Sequence, residues 1–183
     1  MKKKVLIIIG VILLGIVAFL TWFRSYTKSH SPAATAAYHQ DGTDIVVNYC
    51  QPLKKGRLIF GDESSGALQP YGKYWRVGAN EATLFTTNKT LLVNDQTLQP
   101  GKYSIYAYPG KDSWQVVFNS DFDRWGLPAP DASLDVVKTN VPATNGLPVT
   151  EQFSISFVHG DSGVINMVWA WDETVVTTPL RVE

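Results

Sequence analysis

Val5 to Phe23 reads VLIIIGVILLGIVAFLTWF, nineteen residues without a charge. As a helix this run reaches roughly 28 Å at about 1.5 Å per residue, close to the thickness of a bilayer core. Trp22 and Phe23 sit at its far end, where amphipathic rings favour the interface. Lys2, Lys3 and Lys4 precede it, and Arg24 and Lys28 follow. The positive-inside bias predicts a single-pass membrane protein with a cytoplasmic N-terminus and an extracytoplasmic globular part. A cleaved signal peptide is the rival reading. It would need small residues soon after the apolar run, but RSYTKSHSP follows Phe23 and the first A-x-A pattern is Ala34-Thr35-Ala36. An uncleaved anchor fits better. Residues 1–24 are read as cytoplasmic lysines plus anchor, 25–40 as a polar linker, and 41–183 as one extracytoplasmic domain.

Setting Lys2, Lys3 and Lys4 aside leaves 13 basic against 16 acidic residues. An acidic remainder has no electrostatic footprint for nucleic acid, so DNA and RNA partners are set aside. Cys50 is the only cysteine, which rules out an internal disulfide. It ends an apolar run and is read as a small strand residue. His30, His39 and His159 do not pair at ligand spacing and CxxC is absent, so neither a metal nor a cofactor is expected.

The outer part is rich in aromatic and β-branched residues, with ten Pro and fourteen Gly. That balance favours strands joined by turns. Thr43–Cys50 alternates after the hairpin signal Asp41-Gly42. Residues 82–87, 90–93, 102–108, 114–119, 134–141, 149–159, 164–171 and 174–182 complete the strand candidates. The predicted fold is all-β, an antiparallel two-sheet sandwich of about eight or nine strands behind one transmembrane helix. Gly160-Asp161-Ser162-Gly163 spells the GDSG of chymotrypsin-like proteases, yet it lies between two alternating runs and reads as a turn.

PYGKYWRVGANEATLF, Pro70 to Phe85, carries the chemistry. Arg76, Asn80 and Glu81 sit among Trp75, Val77, Ala79 and Leu84, and neither alternating face is cleanly polar. Gly78 allows a bend that resets the phase. At least one charge is then half-buried and needs a partner, and Arg76 with Glu81 is the obvious pair. Lys54, Lys55, Arg57, Lys73 and Arg76 also fall within 23 residues, against only Asp62 and Glu63. Such an excess collects anions, although Lys54 and Lys55 read as solvated loop charges.

Three runs resemble the bacterial domain of unknown function (DUF) family 2911. They are Tyr49-Cys-Gln-Pro52, Lys55-Gly-Arg-Leu-Ile-Phe-Gly61 and Pro70 through Thr83, joined by Pro100-Gly-Lys-Tyr-Ser104, Trp114 through Asn119 and Trp125-Gly126. Asp62–Gly66 departs as an extra loop, and Cys50 departs where the family pattern more often has serine. The resemblance implies an exported or membrane-associated bacterial β-rich domain, periplasmic in placement, and implies no activity.

Three functions stay open. The first is binding of a small molecule, glycan or envelope ligand in a groove near Arg57, Tyr71, Lys73, Arg76, Asn80 and Glu81, with arginine as a forked donor to carboxylate or phosphate. The second is a hydrolase-type enzyme with Glu81 as acid or base, Arg76 as charge stabiliser, and Asp121 or Asp123 as the second group. The third is a structural or assembly domain that meets a protein through Trp169 and Trp171.

Overall fold

A computed structural model describes residues 2–183. The apolar run lies in α1 (Lys2–His30), long and apolar enough to cross a membrane and unburied along its hydrophobic window. The helix does not stop where the apolar run stops. Ser25–His30 contains no helix breaker, and α1 continues until Pro32 forbids another turn.

Thirteen strands follow among the described residues: β1 (Ala33–Gln40), β2 (Thr43–Cys50), β3 (Phe60–Gly61), β4 (Gln69–Pro70), β5 (Thr83–Thr87), β6 (Leu91–Val93), β7 (Gln96–Leu98), β8 (Gly101–Tyr108), β9 (Ser113–Asn119), β10 (Asp135–Thr144), β11 (Thr150–His159), β12 (Ile165–Asp172) and β13 (Thr174–Val182). The expected polar linker over 25–40 is therefore corrected. Its first part is helix, and its second part is β1, paired antiparallel with β2 from Ala33↔Cys50 to Gln40↔Thr43. Asp41 and Gly42 both take positive φ, 51° and 72°, the backbone that a two-residue hairpin turn requires.

The two-sheet sandwich is corrected as well. One antiparallel sheet runs β1-β2-β5-β8-β9-β10-β13-β12-β11, with β6 and β7 added beside β13, and β3 and β4 form a small parallel pair. The reason lies in β10. Its residues from Asp135 to Pro142 pair with β9, and Ala143 and Thr144 then pair with β13. One long strand thus belongs to both halves, so the sheet curls instead of splitting into two layers. Its outer strands approach each other: Tyr38 of β1 packs edge-on against Phe157 and His159 of β11, at ring distances of 6.3 and 5.3 Å. The result is a near-barrel.

Inward residues fill it. Ile45, Val47, Phe85, Phe118, Met167 and Leu180 are fully buried. At one end Trp75 meets Phe60, Trp114, Phe153 and Trp171 within 6 Å, mostly edge-to-face. Each such pair adds about 0.5–1.5 kcal/mol beyond its buried area. Trp169 and Trp171 lie inside this core, so they are not the protein-facing surface expected from sequence. The GDSG segment is a tight turn over Asp161–Gly163, with Ser162 and Gly163 at positive φ, as its flanks predict.

Candidate functional site

The chain leaves the sheet at Trp75 and returns at Thr83. Trp75 exchanges two 2.8 Å backbone hydrogen bonds with Ala107 of β8, and Thr83 pairs with Ile105 on the same strand. Residues 76–82 form the excursion between these points. Val77, Gly78 and Asn80 take positive φ there, 53°, 141° and 62°. A β-branched residue in that region is a strained outlier held by its surroundings. The Thr83 hydroxyl donates to the Val77 carbonyl at 2.5 Å, and the Trp75 indole donates to the Gly78 carbonyl at 3.3 Å. A Cβ on Gly78 would lie 2.9 Å from the Cys50 carbonyl oxygen, so glycine is needed for both its φ and its fit. The expected bend at Gly78 is present.

The bend separates the charges that sequence reasoning paired. Arg76 donates from Nη1 to the Asn80 carbonyl at 2.9 Å. The Gly126 amide donates to the same oxygen at 3.1 Å. Gly126 has no side chain because the Arg76 Cδ occupies that space, 2.3 Å from where a Cβ would sit. Among the described residues no carboxylate lies within ion-pair distance of Arg76. Burial lowers its affinity for a proton; the neighbouring Arg124 acts the same way and Tyr74 against it.

Glu81 turns elsewhere. Its Oε1 accepts from Arg24 Nη2 at 3.2 Å and meets Lys28 Nζ at 3.3 Å, both on the last turns of α1. Its Oε2 faces the Cys50 thiol at 3.6 Å. Burial alone would raise this carboxyl, but its own backbone N–H and Lys28 outweigh that and hold it below its ordinary value. The Cys50 thiol is buried, and burial pushes it up, with the Glu81 charge adding to the effect. The expected Arg76–Glu81 ion pair does not form.

The six candidate residues accordingly scatter. Arg57 and Arg76 line one cavity of about 600 Å³ with Lys55, His30, Tyr74 and Gln69. Among the described residues no acidic side chain lines it. Glu81 lines a second cavity of about 480 Å³ with Lys28, Cys50, Asp123 and Arg124. Tyr71 borders a third, of about 210 Å³. Lys73 is exposed and pairs with Glu63 at 3.1 Å. Asn80 lines none of the three; its carbonyl accepts from Arg76 and Gly126, and its side-chain amide is buried beside the Cys50 thiol. Asp121 pairs with Arg124 at 3.3 Å. Lys54 corrects another reading. Its Nζ lies 2.5 Å from Asp172 Oδ1, both side chains mostly buried, so it is no solvated loop charge. Sequence reasoning missed Arg24 and Lys28 as partners of Glu81, and Tyr74 and His30 as cavity walls. Trp125-Gly126 was a visible signal, since a glycine after an aromatic in a polar loop marks a close approach.

A family model described as "Protein of unknown function (DUF2911)" matches residues 31–180. The chain belongs to the DUF2911 family. No curated protein and no solved structure matches it. The DUF2911 match begins at Ser31, directly after the last residue of α1. The Glu81 clamp thus joins the DUF2911 domain to a helix outside the match, whereas Arg57 and Arg76 lie within it. Among the described residues no three or more His, Cys, Asp or Glu side chains gather as a metal-binding group.

Proposed function

We propose that this DUF2911 domain binds a small anionic ligand, a carboxylate or phosphate, in the Arg57–Arg76 cavity, while α1 holds it at a membrane. One observation carries the reading: a half-buried guanidinium with no carboxylate faces a cavity whose described charged walls are all cationic. A forked donor in such surroundings holds an oxyanion by charge-assisted hydrogen bonds. Tyr74 and Leu68 in the same wall supply apolar surface for the body of the ligand. An acidic glycan or another envelope component has this chemistry. The lysines before the apolar run favour a cytoplasmic N-terminus and an outer domain, which protease protection in sealed vesicles checks.

The test is titration calorimetry of the full chain in detergent with inorganic phosphate and with citrate. Wild type binds at least one of them, and Arg76→Met weakens it at least tenfold while remaining folded. Absence of binding to both anions overturns the reading. A second reading is favoured by the hydrogen bond from Arg76 to Asn80: the guanidinium locks the 76–82 excursion. Unfolding of Arg76→Met, with wild-type Tm unmoved by either anion, selects that lock. The acid role for Glu81 is disfavoured, because a carboxylate held ionised beside two cations is a poor proton donor at neutral pH.

A further inference from the structure

The loop after β9 displays three large apolar side chains. Phe122 is 40% exposed, Trp125 46% and Leu127 52%. The loop that holds them is fixed in place. The Gly126 amide donates to the Asn80 carbonyl, the Ala82 amide to the Arg124 carbonyl and the Ser120 amide to the Leu134 carbonyl. An ordered backbone that keeps aromatic groups out in water marks an interaction surface.

Its position says what covers it. Trp125 pairs through its backbone with Glu81, and the Glu81 carboxylate holds Arg24 and Lys28. Arg24 directly follows Trp22 and Phe23, the end of the apolar run. Phe122 shares a cavity with Lys28, and Leu127 shares one with His30. The exposed trio therefore sits beside the last turns of α1, at the height where a helix crossing a bilayer meets the headgroups. We propose that this loop is a second membrane contact, with Phe122, Trp125 and Leu127 resting in the interface of the same bilayer that α1 enters. The occupant is lipid because the patch is continuous with the apolar end of the anchor, and Arg24 and Lys28 place cations at the same level. The depth is limited to the interface. Loop backbone groups such as these find no partners in hydrocarbon, whereas tryptophan favours the headgroup level.

The experiment uses the full chain in phosphatidylcholine vesicles with a fifth, about 20%, of phosphatidylglycerol to supply the anionic surface that basic residues prefer. Single nitroxide labels are placed by Phe122→Cys, Trp125→Cys, Leu14→Cys and Val158→Cys, each in a Cys50→Ala background. Val158 is exposed on β11 between Phe157 and His159, which meet Tyr38 five residues along β1 from its α1 end. Oxygen accessibility relative to a water-soluble nickel chelate rises several-fold at 122 and 125 over 158. Equal, aqueous values at 122, 125 and 158 with a lipid-buried label at 14 overturn the loop contact alone. An aqueous label at 14 overturns the anchor with it. A second measurement avoids the cysteine background: brominated lipid quenches less of the tryptophan emission in Trp125→Phe than in wild type, and equal quenching also overturns the contact.

Discussion

Arg76 and Glu81 are five residues apart and face different cavities, one bonded inward to the Asn80 carbonyl and the other outward to α1. Val77, Gly78 and Asn80 take the left-handed turns that separate them. The most specific string in the sequence thus does two jobs. Arg76 lines a cationic cavity wall, and Glu81 ties the last turns of α1 to the domain.

Glu81→Gln should loosen that tie. The exposed-pair range puts the cost at no more than about 1 kcal/mol. Amide exchange over residues 24–30 should quicken while the core strands stay protected. The pH dependence has a definite sign. The fold holds this carboxyl below its ordinary value of 4.5, so its contribution is complete above that value. It is lost as pH falls through the lower folded value. Wild type should show that acid-side loosening, and Glu81→Gln should lack the step.

Two glycines are fixed by contact. An alanine Cβ at Gly126 would press on Arg76 and on the Asn80 carbonyl, and one at Gly78 on the Cys50 carbonyl at an unfavourable φ. Each alanine variant should lose about 1–3 kcal/mol in urea unfolding followed by tryptophan emission. Alanine at Gly56, which has open space around it, meets only its φ and should cost less.

Local signals in the sequence reach some of this and miss the rest. The bounds of β2 and β13 match their alternating runs, because one face of each is buried and the other is not. β1 has no such signature. Its AATAAYHQ is exposed at most positions, and its strand form comes from the full register with β2. A sandwich and a near-barrel share the same periodicity. They differ in which strands pair, and here the difference turns on the last two residues of β10. At the site, glycine in Gly78 and Gly126 was a readable sign of close approach. The direction of each charged side chain was not readable, since it follows from left-handed residues and from a helix fifty residues upstream.

Lys54 and Asp172 form the most buried ion pair, with side chains 19% and 10% exposed. Lys54→Ala leaves the carboxylate beside the Ile59 amide without its cation. Truncating one partner of a buried pair costs about 3–5 kcal/mol. The neutral pair Lys54→Met with Asp172→Asn should cost clearly less than the sum of its single changes, as a double-mutant cycle of thermal unfolding would show.

Cys50 should be inert in the native chain. Its thiol is buried and held protonated by burial and by the Glu81 charge. A chromogenic disulfide reagent should find no thiol at neutral pH until denaturant is added, and one per chain afterwards.

The approach of Tyr38 to Phe157 and His159 brings the outer strands of the sheet together. Open strand edges recruit copies of themselves, and confinement to a plane makes such encounters frequent. The two edge strands, β1 and β11, are not hydrogen-bonded to each other, but they face each other across these rings. A strand from another copy then has less room to add at either edge than it would on an open sheet.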